Sequence, residues 1–367
     1  MHSIHRLKEL GQSVWLDFLD HQLVASGELG RLIEHDGLRG LTSNPTIFEK
    51  AIDAGADFDD LLRGAPSEES DASIFERIEV REVGLACDRF RSVYDKSEGA
   101  DGFASIEVSP YRAADTAGSI AESRRLWSEV GRPNVMVKIP GTRAGLPAIE
   151  QCLREGININ VTLLFAVDRY IEVAEAHLRA LEARVAEGKP VDRIASVASF
   201  FVSRVDTKID KAIDEKSGPE ARAERGKAAI ANARLAFEQY ERIVAGERFR
   251  RLAARGAKPQ RVLWASTSTK DPAYPDLYYA EALIGPGTID TMTRETLRAY
   301  IDHGNPAIRL TAGRDEARAH IASLAGLGID LARATRELED EGVRSFAASF
   351  DKAIGTIARK RRTLRSA

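Results

Sequence analysis

Short apolar runs alternate with longer stretches of mixed character along the whole chain. Eight of the runs read as strands: "SVWLDFL" (13–19), "GLTSN" (40–44), "FASIEVSP" (103–110), "NVMVKIP" (134–140), "INVTLLF" (159–165), "ASVASFF" (195–201), "RVLWAS" (261–266) and "TIDTM" (288–292). The stretches between them carry helical spacing. From Ala166 to Gly188, the residues Val167, Tyr170, Ala174, Leu178, Leu181 and Val185 recur at intervals of three and four, so one face is apolar, and Gly188 with Pro190 closes the helix. "GLPAIEQCLREG" (145–156) predicts a second helix, ended by Gly156.

Eight strands alternating with helices predict an α/β fold, a single (β/α)8 TIM barrel over residues 1–367 with additional peripheral and C-terminal helices. A doubly wound sheet would use about six strands and a glycine-rich first turn. No GxGxxG follows the first strand. The charged, alanine-rich stretch from Ile209 to Arg255 predicts helices outside the barrel. From Arg294 onward the pattern is helical only, a set of helices packed on the barrel, and segment 57–73 reads as a surface loop.

Alternate strand residues share a face. On that rule Asn158, Asn160 and Thr162 oppose Ile159, Val161 and Leu163; Ser13, Trp15 and Asp17 oppose Val14, Leu16 and Phe18; Ser105, Glu107 and Ser109 oppose Ile106 and Val108. Val197, Ser199 and Phe201 align, and Lys138 shares its face with Met136. The polar faces must then point into the barrel. Six strands carry an inward polar group near their C-terminal ends: Asp17, Asn44, Glu107, Lys138, Asn160 with Thr162, and Ser199. In a barrel those ends form one rim, where active sites of this architecture lie.

Composition narrows the classes of function. Of 367 residues 43% are hydrophobic and 30% charged, an ordinary globular balance, and the net charge of −3 implies no nucleic-acid partner. The basic run "RKRRTLR" (359–365) reads as a solvated helix end. Cys87 and Cys152 have neither CxxC nor metal spacing, and seven scattered histidines offer no ligand set, so no metal site is expected. No apolar run is long enough to span a bilayer, and the N-terminus shows no signal-peptide core. The expectation is a cytoplasmic protein without a membrane partner.

Lys138 is the anomaly. It interrupts Val135, Met136, Val137 and Ile139, and a buried ammonium without a partner costs several kcal/mol or loses its proton. Either its head reaches an open strand end, or the site uses a neutral amine. One lysine, two carboxyls, hydroxyls and amides without a metal set suit carbonyl chemistry through an imine, with proton traffic through a nearby carboxyl. A strand lysine is ordinarily a snorkelling residue, Asp17 has an alternative as a helix cap, Asn44 before Pro45 has the pattern of an N-cap, and Arg204 has a surface ion pair as its rival. "GTRAG" (141–145) reads as a strand-to-helix turn, with a phosphate cradle as the alternative.

"DGLRGLTSNPTIF" (36–48), "NVMVKIPGTRAGLPAIE" (134–150), "NINVTLLFA" (158–166) and "WASTSTKDPAYPD" (264–276) together resemble the transaldolase family, in order and over nearly the whole chain. The resemblance implies the same barrel, no cofactor, and sugar phosphate substrates, with the protein a monomer or homodimer. It implies Lys138 as the Schiff-base lysine, Glu107 as the carboxylate that moves protons through a water, Thr162 as the hydroxyl holding that water, and Asp17 as the acid acting on a substrate hydroxyl. Asn44 and Asn160 would hold substrate hydroxyls, Ser199 the dihydroxyacetone portion, Phe201 the pocket wall and Arg204 the phosphate. One departure stands out: many members carry a second phosphate-binding arginine after the seventh strand, where this chain has "ASTSTKD" and only Ser266 or Lys270 to serve. The implied reaction moves a dihydroxyacetone unit from sedoheptulose 7-phosphate to glyceraldehyde 3-phosphate. The alternative is a Schiff-base aldolase that cleaves without transfer.

Overall fold

A computed structural model describes residues 3–216 and 218–366. Eight parallel strands close into a barrel in sequence order: β1 (Gln12–Asp17), β2 (Gly40–Thr42), β3 (Phe103–Glu107), β4 (Val135–Pro140), β5 (Ile159–Leu164), β6 (Ser196–Phe201), β7 (Arg261–Ala265) and β8 (Thr288–Met292). β1 pairs with β8 as well as β2, so no edge remains. Every predicted strand is present; the differences are at the ends, where β1, β2 and β3 stop two or more residues earlier than the apolar pattern suggests.

The barrel is filled from below by large side chains and a polar plug. Trp15 lies flat against β2, where any side chain at Gly40 would come within 2.4 Å of its ring. The Trp15 indole donates to Asp101 Oδ1 at 2.9 Å, and the Ser13 hydroxyl also donates to Asp101. Arg261 donates to Ser13 Oγ at 2.9 Å. Of the three polar or amphipathic residues on the inner face of β1, only Asp17 therefore reaches the upper rim. Asn158 likewise works at the lower end, donating to the carbonyls of Pro133 and Val135 and accepting from the Ala195 N–H.

Helices cover the outer wall. Val167–Ala186 and Gly145–Glu155 fall where the spacing predicts them, and helices Ser203–Asp214, Ala228–Ala245 and Glu247–Ala253 account for most of the charged 209–255 stretch. Segment 57–73 corrects the sequence reading: Asp59–Gly64 is helical, Phe58 and Leu62 are buried, and a 26-residue helix begins at Asp71. What holds this segment is the C-terminal helix, Leu331–Ser366. Its basic end pairs within the chain, Arg359 with Asp53 at 2.5 Å, Lys360 with Asp59 at 3.3 Å and Arg361 with Asp71 at 2.6 Å. Higher up, the same helix lies along Pro45–Ala54, and Phe350 packs edge-on against Phe75 and Tyr111. No helix among the described residues is long and apolar enough to cross a membrane.

Candidate active site

The strand register sets the site. Glu107 on β3 stands beside Lys138 on β4, Lys138 beside Asn160 on β5, and Asp17 on β1 beside Thr42 on β2. Lys138 is 5% exposed and points into the barrel mouth. Its Nζ donates to Glu107 Oε2 at 3.1 Å and to the Ser43 carbonyl at 3.1 Å. The lysine thus has both partners and an opening. Glu107 itself sits behind Lys138: its carboxyl is held above the ordinary range by withdrawal from water, an effect that the Lys138 charge partly offsets. Asp17 is raised for the same reason, again opposed by Lys138 and by the hydrogen bond from Thr42 Oγ1 at 2.8 Å.

A cavity of about 640 Å³ opens above Lys138. Asp17, Asn44, Thr162, Ser199, Phe201, Arg204, Ser266 and Lys270 all line it. Glu107 and Asn160 lie one layer deeper. Asn160 donates to Ser105 Oγ at 3.1 Å and accepts from Ser199 Oγ at 2.7 Å, so it orients Ser199. Asn44 both faces the cavity and caps the Pro45–Ala54 helix, its side chain accepting from the Ile47 N–H at 3.2 Å. Thr162 is 1% exposed and its Oγ1 has no hydrogen-bond partner among the described residues, which leaves the hydroxyl free to bond a molecule in the cavity. Directly after it, Leu163 takes a positive φ of 62° and the β5–β6 register shifts. That irregularity lets Leu163 turn to the C-terminal helix at Gly342 while Thr162 keeps facing the cavity.

The opposite side of the mouth is cationic. The Arg204 guanidinium lies 5.6 Å from the Phe201 ring centroid. Phe201 packs against Phe165 with centroids 5.2 Å apart. Arg204, in the first turn of helix Ser203–Asp214, makes no ion pair with any of the described residues, so the surface pairing that was its rival is not found, and burial pulls its pKa down. Lys270 is exposed at the rim, donates to Ser268 Oγ at 2.8 Å, and is lowered by partial burial and then by Arg204. Ser266 Oγ is 2.9 Å from Ser203 Oγ. The 141–145 stretch resolves as a turn. Gly145 N donates to Thr142 Oγ1 at 3.1 Å, a side chain at Gly145 would meet the Pro140 carbonyl at 2.0 Å, and none of these residues lines the cavity.

Sequence reasoning missed several lining residues, two of them large. Phe346 of the C-terminal helix covers Lys138, its ring centroid 5.7 Å from Nζ, with Ser345 and Ser349 beside it. The available signal was the pair Phe346 and Phe350, one turn apart on a helix otherwise rich in charge. Arg294, first residue of helix Arg294–His303, brings a further guanidinium to the mouth. It is bonded to Glu28 at 2.5 Å and lies 4.4 Å from the Phe18 ring centroid.

A closed parallel barrel with a lysine, a partnered carboxyl and a second acid converging at its C-terminal mouth has the architecture of a (β/α)8-barrel enzyme. The family model described as Transaldolase/Fructose-6-phosphate aldolase matches residues 14–357, and the chain belongs to that family. It is 47% identical over 353 residues to the Transaldolase of Parafrankia sp., with 96% of each chain covered. It is 46% identical over 366 residues to Transaldolase 2 of Nostoc sp., again with 96% of each covered. A third relative, the Transaldolase of Acidothermus cellulolyticus, is 47% identical over 357 residues, covering 96% of this chain and 95% of its own.

Proposed function

We propose that the enzyme is a transaldolase of the pentose phosphate interconversions, acting in the cytoplasm and moving a dihydroxyacetone unit from sedoheptulose 7-phosphate to glyceraldehyde 3-phosphate through an imine on Lys138. The observation that carries this reading is the Lys138 amine, enclosed at the foot of the cavity with Glu107 at 3.1 Å. Glu107, held above the ordinary carboxyl range, is suited to accept the lysine proton and free the amine to attack the ketone carbon C2. Loss of water gives the protonated imine. Asp17, likewise raised, then takes the proton of the C4 hydroxyl; the C3–C4 bond breaks, erythrose 4-phosphate leaves as the aldehyde, and the bond electrons pass into the imine as an enamine.

The enamine carbon attacks the carbonyl of glyceraldehyde 3-phosphate, Asp17 returns its proton to the new hydroxyl, and hydrolysis of the imine releases fructose 6-phosphate. The unpartnered Thr162 hydroxyl is the place to hold the hydrolytic water, with Glu107 as its base. Arg204, Ser266 and Lys270 take the phosphate, while Asn44 and Ser199, the latter steered by Asn160, hold the dihydroxyacetone hydroxyls.

The test is a reduction trap. Borohydride with fructose 6-phosphate must fix a three-carbon or six-carbon adduct on Lys138, located by peptide mapping; label on another residue, or none, removes the assignment. Transfer is separated from plain cleavage by acceptor dependence. Turnover must require added aldehyde, whereas steady release of free dihydroxyacetone without acceptor identifies an aldolase.

A further inference from the structure

Residues 265–270 connect β7 to the rest of the cavity wall in an alternating fashion. Ser266 and Ser268 face the cavity, and Thr267 between them does not. Thr267 is 1% exposed and donates to Asp290 Oδ1 at 2.8 Å, and Asp290 is fully buried on the outer face of β8. We propose that the Thr267–Asp290 hydrogen bond is a positioning device for the substrate phosphate, fixing the β7 loop so that Ser266 and Ser268 present their hydroxyls to the anion beside Arg204. This rests on the reading of Arg204, Ser266 and Lys270 as the phosphate site.

Three observations support it. Ser266 holds a φ of 59°, a left-handed conformation that costs a non-glycine residue on the order of 1 kcal/mol and persists only where neighbours impose it. Those neighbours are on both sides. Toward Arg204, Ser203 N–H donates to the Ser266 carbonyl at 3.0 Å and the two hydroxyls meet at 2.9 Å. Away from the cavity, Thr267 is held by Asp290. Finally, among the described residues Asp290 has no other hydrogen-bond partner: its Oδ2 is buried without a hydrogen bond, its register neighbour Trp264 leaves the indole N–H buried without one, and Tyr300 on the Arg294–His303 helix is a further titratable group that faces it. Burial pushes Asp290 up to about 7. A carboxyl kept in such surroundings for one hydroxyl is there to place that hydroxyl's loop. Protonated or ionised, it still accepts from Thr267 at Oδ1.

The experiment uses the full-length enzyme and two donors, fructose 6-phosphate and fructose, with a fixed acceptor. Thr267→Val removes the donor at constant shape. It is expected to raise KM for fructose 6-phosphate about tenfold, the effect of one hydrogen bond's free energy, with kcat within twofold and with kcat/KM on fructose unchanged. Thr267→Ser and Asp290→Asn, which keep donor and acceptor, should remain within threefold of the parent on both donors. An unchanged KM in Thr267→Val overturns the proposal, and so does an equal loss on both donors, which is the signature of a structural defect alone. Should Thr267→Val fail to fold, the double variant Thr267→Val/Asp290→Leu removes donor and acceptor together, so neither is stranded, and it must show the same selective rise. Arg204→Ala separates the two readings. If it leaves the discrimination between the donors intact, the phosphate site itself is wrong; if it removes that discrimination while Thr267→Val does not, only the positioning role fails.

Discussion

Inside the barrel wall two carboxyls, Asp17 and Glu107, share their surroundings with Lys138; outside it two others, Asp206 and Asp290, are held by neutral donors alone. Asp206 accepts from the Tyr279 hydroxyl at 2.9 Å and the Ala229 N–H at 2.7 Å, and Asp290 accepts from Thr267. Withdrawal from water raises all four. Outside, what opposes it among the described residues is hydrogen bonds from neutral donors, the Asp210 charge lifts Asp206 further, and both groups rise to about 7. Inside, Lys138 pulls both acids back down. The contrast shows what the lysine does before any substrate arrives: it keeps two enclosed carboxyls within reach of ionisation, so that proton acceptors are available where bonds are made and broken. The outer pair has the chemistry of scaffolding: Asp206 ties its helix to two others, and Asp290 holds the loop after β7.

The largest effect should come from removing the cation that distinguishes the two pairs. Lys138→Ala is expected to abolish turnover and the borohydride adduct while the thermal unfolding midpoint moves by only a few degrees, because Glu107, once unpaired, takes up a proton rather than remaining a buried charge. Transfer activity surviving in this variant would break the comparison outright. Next, Glu107→Gln keeps an acceptor for Lys138 Nζ but removes the proton acceptor. Its rate should fall about 100-fold or more, and the acid limb of kcat/KM against pH should retain one ionisation, that of Asp17, where the parent shows two. A limb identical to the parent's would place Glu107 outside the proton path.

The outer pair predicts a stability effect instead. The folded-state value of Asp290 is raised, to about 7 from an ordinary 3.8. Below the lower figure both folded and unfolded chains carry the proton, and the stabilising preference for the protonated fold is fully present. As pH rises toward 7 the unfolded chain ionises first, and that contribution is lost. At about 1.4 kcal/mol per pH unit the gap sets a ceiling of about 4 kcal/mol. Asp290→Asn, neutral at every pH, should therefore exceed the parent in stability by about 2 kcal/mol at pH 8, with the advantage shrinking toward pH 4. Denaturant unfolding at the two pH values measures this, and a parent that is the more stable at pH 8 would show that Asp290 has an unrecognised cationic partner.

The barrel was legible from the chain because period-two polarity survives in strands that are otherwise apolar. Asp17, Lys138, Thr162 and Ser199 could be assigned to one face from their spacing alone, and the structure turns all four to the cavity. The same spacing could not say at which end of the barrel a polar residue works, so Ser13 and Asn158 carried the same signal as Asp17 and Thr162 yet seal the bottom. Nor could it reveal depth: Asn160 and Glu107 support the lining instead of forming it. Residues 57–73 looked like a loop because glycine, proline and acids dominate; their acids are the partners of Lys360 and Arg361, some 300 positions away, and no local pattern encodes that pairing. Phe346 and Arg294 were missed for the same reason, since each reaches the mouth from a helix whose placement is tertiary.

Phe346 supplies the last and smallest test, and it bears on what separates the inner pair from the outer. The outer acids are buried away from the cavity, whereas the inner ones surround a lysine that one ring of the C-terminal helix covers, 5.7 Å from Lys138 Nζ. An enamine waiting for its acceptor is lost if water reaches it as a proton source, so a cover over the lysine favours transfer over release. Phe346→Ala opens that cover without touching Asp17, Glu107 or Lys138. Turnover with saturating acceptor should fall only a few-fold, about 1 kcal/mol in the barrier. The fraction of cleaved donor appearing as free dihydroxyacetone should rise by a comparable factor, measured by product ratio at limiting glyceraldehyde 3-phosphate. If the ratio stays fixed while the rate drops, the ring acts on the lysine or the helix packing and not on water, and retention of the enamine must come from the cavity wall around Thr162.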